Sequence, residues 1–179
     1  MIFPNKYFLE RRDLLTINIR YENIEPLDES WEQLFEKVIS ACLNYENCPY
    51  EVDISLLITN DSLIREINQE SRGVDKATDV LSFPSIMFQI PSDFKSLEDD
   101  WNFFFHPDSG ELLLGDIVIS FERAEKQAQD YGHSLEREVA FLTAHSMFHL
   151  MGHDHEKESE RKLMEEKQED VLKKLNILR

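Results

Sequence analysis

Two cysteines in 179 residues exclude a disulfide-stapled extracellular module, and the five-residue gap between Cys42 and Cys48 is not a usual zinc pairing. No apolar run approaches the roughly 18 residues that would suggest a membrane-spanning helix. Residues 1–10 lack a basic start followed by a long apolar stretch, so no secretory signal is expected and the chain reads as cytoplasmic, with no membrane partner. Positive charge is also short: 19 Lys and Arg stand against 36 Asp and Glu, a net charge of −17. Phosphate contacts need Lys and Arg, so an acidic surface opposes nonspecific nucleic-acid binding and any RNA site has to be local. The excess acid falls on the first two-thirds of the chain; residues 156–179 carry seven acids and seven bases, as a solvated helix with i,i+4 pairs would.

What is present is ordinary for a globular domain, 41% apolar and 31% charged, at a length that suits one domain over residues 1–179. Residues 15–21 alternate with period two and read as a first strand, and residues 30–45 show helical spacing through Trp31, Leu34, Phe35, Val38, Ile39 and Cys42. Residues 51–59 read as a second strand. Asn60 or Asp61 then caps a helix with Leu63, Ile64 and Ile67 on its apolar stripe. Residues 77–83 form a short third strand stopped by Pro84, and the apolar residues 112–120 a fourth, central one. Residues 85–110 have no sustained period and read as a long loop or flap. Helices follow at 121–131, 134–151 and 156–175. The expected fold is α+β, a four-stranded mixed sheet packed against about five helices.

The chemistry concentrates in Thr143-Ala-His145-Ser-Met-Phe-His149-Leu-Met-Gly152-His-Asp-His155. Residues i and i+4 share a helix face about 5–6 Å apart, so His145 and His149 can aim ring nitrogens at one cation. Gly152 can end the helix in the left-handed conformation and turn His155 back toward the same point. Three protein ligands leave a fourth position open, the pattern of a catalytic zinc site. The string also resembles the metzincin signature, but the glutamate base of those proteases is replaced by Ser146, which cannot accept a proton at neutral pH. His106 and His133 read as surface or satisfied side chains. His153, beside His155 in a loop, is expected to point the other way.

A second group lies at Arg72-Gly73, where a helix exit would set a guanidinium on a loop before Thr78-Asp-Val-Leu-Ser-Phe-Pro84. Arginine suits bidentate contact with phosphate; a surface pairing of Arg72 with Glu70 or Asp75 is the other outcome open to it. Trp101, Phe103, Phe104 and Phe105 either anchor the 85–110 segment to the core or stack on unpaired bases.

Taken in order, T-D-V-L-S-F-P, L-G-D-I-V-I-S and H-x-x-x-H-x-x-G-x-D-H resemble the YbeY-type bacterial single-strand endoribonucleases, over about residues 53–165. The family usually has glycine and leucine where this chain has Ser146 and Phe148, and a shorter segment than 85–110. The resemblance implies a zinc-dependent enzyme that cuts single-stranded RNA, including precursor 16S rRNA near its 3′ end, and that acts in ribosome quality control. It places the family's metal-binding histidines on His145, His149 and His155, and its required arginine on Arg72. Asp154 is available either as a general base or to orient a ligand histidine. One Zn2+ is expected, with nickel or another divalent metal compatible with imidazole. Partners would be single-stranded RNA and the ribosomal subunit or its proteins. The rival readings are a noncatalytic ribosome-associated adaptor with a structural metal, or a metal-dependent hydrolase of another substrate.

Overall fold

The computed structural model describes residues 15–178, apart from the side chains at 99–102. The reading of residues 1–10, and the stacking role offered for Trp101, therefore lie outside what is described. Alternation in the sequence becomes alternation in burial along β1 (Leu15–Tyr21), half-buried and exposed by turns. Strands β2 (Val52–Thr59) and β4 (Leu112–Ser120) bury most of their residues, and both lie inside the sheet, whose order is β1-β2-β4-β3. The first three of these run parallel, and β3 (Val80–Pro84) is antiparallel on the β4 edge. The result is the expected mixed four-stranded sheet.

Among the described residues, five helices of two or more turns and one single-turn helix accompany the sheet: α1 (Glu29–Tyr45), α2 (Asp61–Arg72), α3 (Trp101–Phe104), α4 (Phe121–Tyr131), α5 (Leu135–Leu150) and α6 (Glu158–Lys174). Their ends follow local chemistry. Asn60, Ser120 and Ser134 each accept a backbone N–H at the start of α2, α4 and α5, satisfying donors that a helix leaves open. Helix α2 packs on one sheet face through Ile64 against Leu81 and Val118. The larger core on the other face joins α1, α4, α5 and α6. Helix α5 is buried nearly all round, including Val139, Leu142, Met147 and Phe148, so it is a core helix rather than a surface one.

Two expectations change. The third strand begins at Val80, not Ala77, because the Asp79 carboxylate accepts the Val80 N–H and the Thr78 hydroxyl and turns the chain there. Residues 85–110 are not an open flap: they hold a 3-10 stretch (Phe94–Asp100), α3, and a bridge from Phe105 to Leu112. Ile86, Phe94, Leu97 and Phe105 are buried. Single apolar anchors without a period hold this segment to the core.

Candidate metal centre

His145 and His149 sit one turn apart on α5, whose core packing fixes their backbone. The helix ends in a Schellman turn: the Gly152 N–H reaches the His149 carbonyl at 3.0 Å, and the His153 N–H reaches Phe148 at 2.9 Å. Gly152 has φ +86°, and a Cβ there would lie 2.7 Å from Cβ of Phe88, so both conformation and space call for glycine. The turn returns His155 to the other two rings. Ring centroids are 4.6 Å apart for His145 and His149, 5.0 Å for His149 and His155, and 5.5 Å for His145 and His155. One ligating nitrogen from each lies within 4.8 Å of the others, and the Nε2 atoms of His145 and His149 are 3.1 Å apart. Around a tetrahedral zinc with bonds of about 2.0–2.1 Å, nitrogens lie about 3.3 Å apart, so the donor set fits one such ion.

The electrostatics suit ligation. Burial, then the neighbouring His149 and His155, push the His145 pKa down to about 4. Burial and His155 also lower His149. Both rings are therefore neutral at neutral pH, with lone pairs available. Hydrogen bonds set which nitrogen faces the centre: His149 Nδ1 donates to the His153 carbonyl at 2.9 Å, leaving Nε2 toward the cluster. Nδ1 of His145 meets the side-chain amide of Gln168, on α6, at 3.0 Å. Asp154 acts on the backbone instead, its carboxylate accepting the His155 N–H at 2.7 Å.

Arg72 closes α2 before Gly73, whose φ of +72° ends the helix. No ion pair joins Arg72 to Glu70 or Asp75 among the described residues; Asp75 binds Arg65, with Nη2 to Oδ2 at 2.8 Å. The Arg72 guanidinium donates to the Ser82 carbonyl at 3.2 Å and lies 5.8 Å from the Phe83 ring centre. Its charge reaches His149, whose pKa it depresses further. Arg72 thus lies at the end of α2 beside β3, held by a backbone carbonyl and the Phe83 ring.

The remaining histidines have other partners. His133 pairs with Glu138 at 3.0 Å, and His106 accepts backbone N–H groups of Asp108 and Ser109. His153 turns inward to Ser92 and Glu46 at 3.3 and 3.5 Å. Cys42 and Cys48 are buried. Two features of the centre escaped sequence reasoning, the His153 carbonyl and Gln168. The signal for Gln168 was its place among Met164, Val171 and Leu172 on the buried stripe of α6, an amide where an apolar residue is expected.

An α+β fold with three convergent imidazoles at the end of a core helix defines the class. The chain belongs to the family described as Endoribonuclease YbeY, which it matches over residues 16–176. Curated relatives of that name from Lachnoclostridium phytofermentans and Lachnospira eligens are each 48% identical, over 92% of this chain and 100% of theirs. The solution structure of TM1509 from Thermotoga maritima shares the fold, with a TM-score of 0.52 and 22% identity over 90% of this chain and 92% of that one.

Proposed function

We propose that this chain, as one hydrolase domain over residues 1–179, is a metal-dependent endoribonuclease that cuts single-stranded RNA. One divalent cation, zinc before nickel or another metal, would be held by His145, His149 and His155. The observation that carries the reading is the convergence of three imidazoles in a chain 48% identical to proteins named endoribonucleases. In the cell the reaction is 16S rRNA 3′-end maturation and ribosome quality control, in the cytoplasm and on the ribosomal subunit.

When bound, the cation supplies Lewis-acid polarisation of a phosphoryl oxygen or an acidified water. The chain's own residues do the rest. The His153 carbonyl and Gln168 orient two of the imidazoles, and Asp154 holds the turn that presents the third. Arg72 has donors to spare beyond its bond to Ser82 and offers them to the scissile phosphate, offsetting charge gained in the transition state. Ser146 is fully buried and takes no part.

His149→Ala is expected to lose both metal and cutting. Arg72→Ala is expected to keep the metal and cut about 100-fold more slowly. If both variants cut unstructured RNA as fast as the parent, a contaminating nuclease is responsible and the assignment falls.

A further inference from the structure

Beside the histidines a cavity of about 270 Å³ opens between α5, α6 and the start of β3, and His145 and His155 form part of its wall. The apolar part of its wall comes from Phe141, Leu142 and Met164. Phe141 also lies nearly parallel to His145, at 24° and 6.2 Å between ring centres. The cavity's acceptors are the carboxylates of Asp79 and Glu165 and the unpartnered Oε1 of Gln168. Asp79 is pinned by Gln127 at 3.1 Å and by the Val80 N–H at 2.9 Å, and Glu165 stands at the rim. Arg161, the cation among its lining residues, is already bound to Glu158 and Glu165 at 2.8 and 2.6 Å. A phosphate has no free cation to meet inside. A flat, neutral ring with hydrogen-bond donors at its edge fits both the apolar walls and the carboxylates.

We propose that this cavity receives one unpaired nucleobase of the RNA, next to the phosphate at the histidines, and prefers a base with an exocyclic amino group to uracil. The inference rests on the endoribonuclease reading. An amino group donates to a carboxylate, whereas the carbonyl of uracil at the same position sets acceptor against acceptor. Base burial also removes a conflict: a chain of net charge −17 gains little from tracking phosphates, so its affinity for RNA comes from the base slot and few ionic contacts.

Oligocytidine and oligouridine of equal length test this directly, because the two bases differ at the edge by amino against carbonyl. With the full-length protein, oligocytidine is expected to bind about fivefold more tightly, the worth of one hydrogen bond. Glu165→Gln, at an exposed side chain, should bring the ratio close to one. Leu142→Phe should fill the cavity and weaken oligocytidine binding, with a lower melting temperature because Leu142 is a core position. The salt dependence should be shallow, with a log–log slope of about −0.7 to −1.4, or one to two phosphates. Equal binding of the two oligomers, or a preference that survives Glu165→Gln, overturns the base slot while RNA cutting leaves the endoribonuclease reading intact. A parent that neither binds nor cuts either oligomer removes both.

Discussion

Gln168 is an amide on a buried stripe, and its two ends suit two states of His145. In the structure its Nε2 meets His145 Nδ1, while Nε2 of that ring faces Nε2 of His149. The Gln168 Oε1 is buried without a partner. A cation on His145 Nε2 requires the ring proton on Nδ1, and the amide turned over presents Oε1 to accept it. Gln168→Met is therefore expected to weaken zinc binding about 10–100-fold, and Gln168→Glu, an acceptor in every rotamer, to retain it. Competition with a chromogenic chelator measures both; equal affinities for parent and Met variant would mean that packing on Phe141 alone holds the ring. At this scale the three histidines were legible because helical spacing and one glycine determine their meeting. Gln168 was not, since its partner lies 23 positions away and no local period links them.

The elements that build the centre are α5, the turn after it, and α6. Gly152→Ala would place a side chain at positive φ and against Phe88, costing about 1–3 kcal/mol in urea unfolding and weakening metal binding by shifting His155. Unchanged stability would show that Phe88 moves aside freely. Glu46, after α1, braces the same turn. Burial alone would raise its pKa, but hydrogen bonds from His153, Lys167 and Ser92 outweigh that and hold it down to about 2. A depressed carboxylate contributes stability that is complete above its ordinary value of 4.5 and is lost as pH falls toward 2. The gap in unfolding free energy between parent and Glu46→Gln should be about 2–3 kcal/mol at pH 7 and shrink through that acid window; a gap constant with pH would contradict the ion-pair origin. A cap at Asn60 or Asp61 was readable from sequence, and Asn60 takes the role; the bounds of β1, β4 and α4 were readable too. The tether of residues 85–110 was not, because isolated anchors such as Phe94 and Leu97 carry no period, and their burial depends on distant partners.

Over the whole molecule, four strand-like segments followed by helices made the α+β class legible. The order β1-β2-β4-β3 depends on which strands meet in three dimensions, and local pattern does not encode it. Acidity was legible too, but its consequence needed the structure: cations such as Arg161 and Arg123 are already paired with carboxylates, whereas Arg72 donates to a backbone carbonyl. The fold thus concentrates ligand chemistry at one end of α5 in a chain of net charge −17. Metal content and cutting of an unstructured RNA, measured on one preparation before and after chelation, address this most directly. The prediction is one divalent ion per chain, cutting abolished when it is stripped, and cutting restored by zinc in the parent but not in His149→Ala. Cutting that persists in the metal-free protein, or metal retained in full by His149→Ala, would contradict it.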